Sequence, residues 1–327
     1  MSTKFGWIAA GLFVLAIGGF IVKQTVFPSP TRPSPATRRT GFMDRIEVAA
    51  SITDILGALP IGGGNAGDDY HQAVTIYLGA KQAIEDAIID LGKGADTGHE
   101  DALAALNAMY GHISSGAKKK EMKYLLVHAP KELRVGWKLP EIGTLSEVAG
   151  CMDLLAAYHL ENNRPRQAEA IYKDLMVMGW HMTGARSYYH MVTAGFGTQM
   201  TSAEGLATVY RAMGGSFERR VQALREYHSA VREAEGIYGD KLGVLWKPKP
   251  HPGDVFNIVE NDKDRAWRVQ AVLAMGMLRY TADKRGDKKY NTKLLEELAR
   301  DKDPLLAAAA KAAGKLTEPE FNVLGTR

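Results

Sequence analysis

The residues in this chain that could do chemistry are few and scattered. The loop Gly62-Gly63-Gly64-Asn65-Ala66-Gly67 has the composition of a phosphate cradle, since glycine lets backbone amides approach an anion at the start of a helix. No Gly-Lys-Ser/Thr follows it, no strand precedes it, and Asp68 and Asp69 would repel phosphate. The expectation is a flexible connector ending in an aspartate helix cap. Nine histidines are spread along the chain, with no His-Glu-x-x-His, no haem-type Cys-x-x-Cys-His and no Cys/His pair at ligand spacing. His181 and His190 flank Tyr188-Tyr189; the group could line a pocket, and its helical spacing fits packing between helices. Cys151 is alone, which excludes an internal disulfide and a multi-cysteine metal site, and it reads as a small buried apolar residue. No Gly-x-Ser-x-Gly elbow supplies a serine nucleophile. The acidic pairs Glu85/Asp86 and Glu296/Glu297 fall on polar helix faces. Lys118-Lys119-Lys120 with Lys123 is the densest basic cluster, expected as a solvated helix end, with anionic lipid or an acidic partner as the alternative. These residues assign no catalytic residue, no cofactor-binding residue, no metal ligand and no cofactor.

The elements that would carry any site are helices. Tyr70, Ala73, Val74, Tyr77, Ala80, Ile84, Ala87, Ile88 and Leu91 trace one face of a long helix that Gly92 and Gly94 end. Phe42 to Leu56 makes a stripe before it, ending near Pro60. Leu103, Leu106, Tyr110 and Ile113 make one after it, with Asp96 as its expected cap. Further stripes follow at Leu145 to His159, Ala168 to Leu175, Leu206 to Met213 and Val221 to Val231. Asn162-Asn163-Arg164-Pro165 and Gly214-Gly215 break successive stripes into antiparallel hairpins. Only Leu133 to Trp137 and Val255 to Val259 admit a strand reading, and either could be a turn. The expected class is all-α.

The N-terminus differs from the rest. Gly6 to Val22 contains no charged residue and is bracketed by Lys4 and Lys23. As a helix it would be about 25 Å long, at the short end of what crosses a bilayer. Trp7 sits where an interfacial aromatic anchor belongs. A signal peptide cut after Ala16-Ile17-Gly18 would fall inside the apolar run, which favours an uncleaved single-pass anchor. Pro28 to Thr40 (PSPTRPSPATRRT) reads as an extended polyproline-like tether reaching about 40 Å. The very short lysine-bearing N-terminal tail is the form of an export-type anchor and points the body to the extracytoplasmic side. The charge count alone, with Lys23, Arg32, Arg38 and Arg39 distal, points to the cytoplasmic face.

Around the break at Asn162 the sequence resembles a tetratricopeptide repeat over about residues 146–180. Leu155 and Ala156 stand on the first helix, Asn163 at the turn, and Ala168 with Tyr172 on the second. Ala73 and Tyr77 repeat the second-helix spacing. His159, Met152 and Trp180 replace the usual tyrosine, tryptophan and proline, and no period of about 34 residues covers the chain. The stretch from about 262 to 316 resembles HEAT-type hairpins. Asp262-Lys263-Asp264 precedes Trp267, Arg268, Ala271, Ala274, Gly276 and Leu278; Asp301-Lys302-Asp303-Pro304 precedes Leu306, Ala310, Ala313, Gly314 and Leu316. Aspartates would cap the helices, and an alanine ridge would pack flat on the preceding hairpin. The resemblance implies helical hairpins stacked as an α-α superhelix or solenoid behind the transmembrane helix.

The boundaries that follow are an anchor at 1–27, a tether at 28–40 and a tetratricopeptide-like helical domain at 41–246. A proline-rich connector at 247–253 then leads to HEAT-like helices at 254–327. With 41 basic and 37 acidic residues and a formal charge of +4, the chain has no bias that predicts nucleic-acid binding. The expected function is a membrane-anchored scaffold or accessory subunit without catalysis. It would bind one or more protein partners, in a membrane complex if those partners are themselves membrane-bound, and the bilayer through residues 6–22. The alternative is an exported enzyme with a helical-superhelix body, of the cell-wall hydrolase type, whose catalytic residue no motif identifies.

Overall fold

The computed structural model describes residues 52–123, 140–184, 189–215, 217–245, 252–281 and 287–315. The apolar run at 6–22, the tether at 28–40 and Leu133 to Trp137 lie outside the described residues. Among those described, no helix is long and apolar enough to cross a membrane.

The protein is mostly helical. The helices are α1 (Ile52–Leu56), α2 (Ala66–Leu91), α3 (Glu100–Ala117), α4 (Pro140–Glu161), α5 (Pro165–Gly184) and α6 (Tyr189–Met213). They continue with α7 (Glu218–Leu245), α8 (Pro252–Asn261), α9 (Arg265–Thr281), α10 (Asp287–Leu298) and α11 (Pro304–Lys315). A parallel two-strand ribbon joins β1 (Gly62–Asn65) to β2 (Lys119–Glu121). The stripe on α2 is its buried face: Tyr70, Ala73, Val74, Tyr77, Ile84, Ala87 and Leu91 are enclosed, and Ala80 and Ile88 are half-buried. Val255 to Val259 lies in α8, so the strand reading there fails; Val255 and Val259, one turn apart, are its buried face.

Prolines start α4, α5, α8 and α11, where a missing backbone donor costs nothing and φ is already helical. The α4–α5 turn closes through Asn163, whose φ of 56° asparagine tolerates better than most side chains. Gly214 and Gly215, at φ 66° and 84°, turn α6 into α7.

From α2 onward successive helices pair, α1 lies against α7, and helices two apart also touch: α2 with α4, α3 with α5, α4 with α6, and α9 with α11. α5 and α6 approach closely. A Cβ on Gly179 would lie 2.8 Å from the Gly195 carbonyl oxygen, and one on Gly195 would lie 2.8 Å from that of Gly179. Gln199 bonds across this seam to the Gly179 carbonyl at 3.2 Å and to Thr183 Oγ1 at 3.2 Å, and accepts a short hydrogen bond from Tyr227 of α7. A polar chain crosses the same layer. Tyr172 donates to Asp153 of α4 at 2.8 Å, and His228 of α7 pairs with Glu204 of α6 at 2.9 Å.

The C-terminal helices pack back onto this array. Tyr238 of α7 meets Trp267 of α9 with centroids 4.6 Å apart, and Phe196 of α6 meets Tyr238 edge-on. The two aspartate motifs fold alike. Asp262 accepts from the Asp264 amide and Asp264 from the Ala266 amide; Asp301 accepts from the Asp303 amide and Asp303 from the Leu305 amide. Arg265 ties the two motifs together, meeting Asp303 at 2.6 and 2.8 Å. The alanine ridge also packs flat: a Cβ on Gly276 would come within 2.9 Å of the Ala313 backbone.

Candidate functional site

A cavity of about 360 Å³ opens where α1 lies against α7 beside α5 and α6. Its walls are Ile55, Leu56 and Gly57 after and within α1, Lys173 of α5, Tyr210 of α6, and Arg219, Arg220, Ala223 and Leu224 of α7. Each side chain has a local reason for its place. The Gly214–Gly215 turn lets Phe217 fold back to stack on Tyr210, with centroids 5.1 Å apart and planes 12° from parallel. The Arg220 guanidinium lies over both rings, 5.5 Å from each centroid, which fixes its direction before any ligand arrives. Leu224 is buried and Ala223 half-buried one turn below the arginines, making an apolar floor with Ile55 and Leu56.

The charges around this cavity are unequal. Glu169 is buried, yet it meets Lys173 at 2.8 Å and Arg166 at 3.2 Å and accepts from the Tyr210 hydroxyl at 3.1 Å. Burial pushes its carboxyl up, but Lys173, Tyr210 and Arg166 outweigh that and hold it below the usual carboxylate range. The positive charge of Lys173 is thereby offset by Glu169. Arg219 makes no ion pair with any described residue, and neither do Arg211 and Arg225 on the same two helices. Burial and the nearby Arg225 charge both lower the Arg211 pKa. Arg219 and Arg220 also occupy the first turn of α7, the positive end of its dipole, with only Glu218 to offset them. The geometry can attract a negative charge at its mouth and an apolar group on its floor.

The sequence-level candidates fall elsewhere. The glycine loop is not a flexible connector: Gly62 to Asn65 forms β1, and Gly62 sits so close to Lys118 that a Cβ would lie 2.5 Å from its carbonyl oxygen. The α2 cap is Asn65 rather than an aspartate, accepting from the Gly67 and Lys123 amides at 3.0 and 2.7 Å. In the lysine cluster Lys118, Lys120 and Lys123 are exposed, as a solvated helix end would be, and Lys119 is drawn in to meet Asp69 at 2.5 Å; Lys123 meets Glu121 at 2.8 Å in solvent. The glycines and lysines are thus brought together, with Lys119 and Lys123 paired to carboxylates and Lys118 and Lys120 exposed. Asp96 does not cap α3; it accepts from Tyr158 at 2.7 Å, while His99 precedes the helix.

His181 is enclosed between helices, and its Nδ1 accepts from Tyr70 of α2 at 2.8 Å. Burial drives its pKa down to about 4, against a smaller opposing pull from the Lys119 carbonyl. Burial, then Asp174 and Asp69, raise the Tyr70 phenol well above its ordinary range, so the tyrosine remains the donor. The Tyr188 position and the side chains of Tyr189 and His190 lie outside the described residues. Cys151 is buried and its thiol is pushed up to about 12 by burial first and by Glu147 second. Among the described residues no group of three His, Cys, Asp or Glu could hold a metal ion.

Among the described residues no carboxylate lines the cavity, and the half-buried carboxylates of Asp153 and Glu204 are engaged between helices by Tyr172 and His228. Sequence reasoning passed over Arg219 and Arg220. Their signal was a pair of cations in a helix's first turn, against the dipole. Comparison with protein-family models, curated proteins and solved structures finds no match.

Proposed function

We propose that the chain is a membrane-anchored scaffold that binds a protein partner, with stacked helical hairpins forming a superhelical body on a stalk. The pairing of successive helices from α2 onward, and the contacts of α2 with α4, α3 with α5, α4 with α6 and α9 with α11, support the stacked arrangement. The observation that carries the binding reading is the cavity at α1, α5, α6 and α7, where Arg219 makes no ion pair with a described residue and the floor is apolar. The cavity lies beside α1, the first described helix after the proline-rich tether, so the stalk would present it from the membrane side of the body.

Affinity capture of the full chain from solubilised membranes tests the reading. The wild type recovers a stoichiometric protein partner, and Arg219→Glu, a change at an exposed side chain, loses it. A monodisperse, partner-free wild-type chain would overturn the scaffold. Protease accessibility in sealed vesicles then reports the side; the proposal is extracytoplasmic, and cleavage only from the cytoplasmic face would reverse it.

A further inference from the structure

The geometry points to the ligand class of this cavity: an extended peptide segment with a carboxylate side chain and, two positions along, an aliphatic one. The inference rests on the scaffold reading and goes beyond it by naming what is recognised. Arg219 and Ala223, and likewise Arg220 and Leu224, are one helical turn apart on α7, about 6 Å along its axis. Alternate side chains of an extended chain project from one face about 6.6 Å apart. A segment lying along the first turns of α7 therefore sets its carboxylate at the arginines as its aliphatic group reaches the floor. Arg220, held by the Tyr210 and Phe217 rings, is already oriented, and Arg219 makes no ion pair among the described residues.

The same cationic mouth could attract an anionic lipid headgroup, and the chain's own anchor would bring one near. Two observations favour the peptide. The ionised Glu169 stands at the Lys173 wall, so the free positive charge is confined to the α7 side and suits a single carboxylate better than a phosphodiester with its own polar headgroup. The aliphatic floor, closed by Ile55 and Leu56 of α1, suits an apolar side chain rather than a polar headgroup.

The test uses the full chain in phosphatidylcholine nanodiscs and a fluorescent peptide with a Glu-Ser-Leu core, read by anisotropy. Replacing the peptide's glutamate by glutamine weakens binding about tenfold or more, and so does Arg219→Glu in the protein. Replacing the peptide's leucine by serine also weakens it, and added salt lowers the affinity of the parent peptide only. Equal binding of the glutamine peptide overturns the inference. So does Arg219-dependent binding to phosphatidylserine vesicles with no binding of the peptide, which would assign the site to lipid. Partner capture that depends on Arg219 without any peptide binding removes this ligand class and leaves the scaffold; failure of both removes both.

Discussion

Acidification should loosen this protein through one histidine. His181 lies between α5 and α2, neutral, with Nδ1 accepting from Tyr70 at 2.8 Å. Its pKa falls from 6.5 to about 4 because burial penalises the imidazolium. The sign follows from linkage. The unfolded chain binds a proton as pH drops through about 6.5, whereas the folded chain resists until about 4. Stability from this group is therefore fully present above about 6.5 and is lost progressively below it. Between about pH 7.5 and about pH 5 the two-pKa relation gives a loss of about 2 kcal/mol. His159, also lowered by burial and by Arg164, acts in the same direction. Carboxylates such as Glu169 and Asp303, which are lowered, lose their contribution only further into acid. The perturbation is His181→Gln, whose amide oxygen can still accept from Tyr70 but cannot titrate. Urea unfolding of both chains in the same detergent, across that range, is the assay. The wild type should lose about 2 kcal/mol more than the variant. Parallel stability curves would refute the reasoning, since they would mean that His181 pays no penalty for charging in the folded state.

Other outcomes follow from single contacts. Gly195→Ala forces a methyl against the Gly179 carbonyl and should cost about 1–3 kcal/mol, seen as a lower melting temperature; an unchanged melting temperature would mean that α5 and α6 can separate freely. Arg265→Ala should cost about 1 kcal/mol, and Asp303→Ala about twice that because it also uncaps α11; equal losses would show that the cap contributes nothing. The Cys151 thiol, buried and raised to about 12, should react with a thiol reagent only as the chain unfolds, and fast labelling of the native protein would contradict its burial.

The helices were legible because burial on one face imposes a period of 3.6, and α2 shows why: its apolar stripe is the face that packs. The aspartate pairs at 262–264 and 301–303 were legible for a similar reason, since a cap is a contact between near neighbours. The β1–β2 ribbon was not. Gly62 to Asn65 has no alternation to reveal a strand, and its partner lies beyond two helices. The cavity was hidden for the same reason, because Lys173, Tyr210 and Arg219 belong to three helices that only packing brings together. Local chemistry also misled at Asp96, which looked like a cap and instead serves Tyr158 from another helix.

The central claim is that the cavity between α1 and α7 receives a protein partner at the membrane. A photo-crosslinking amino acid in place of the half-buried Ala223, in the full chain in intact membranes, tests it most directly. The account predicts one dominant crosslinked protein, abolished when Arg219→Glu and Arg220→Glu are added. Crosslinks to lipid alone, or a protein crosslink that persists after both reversals, would contradict it.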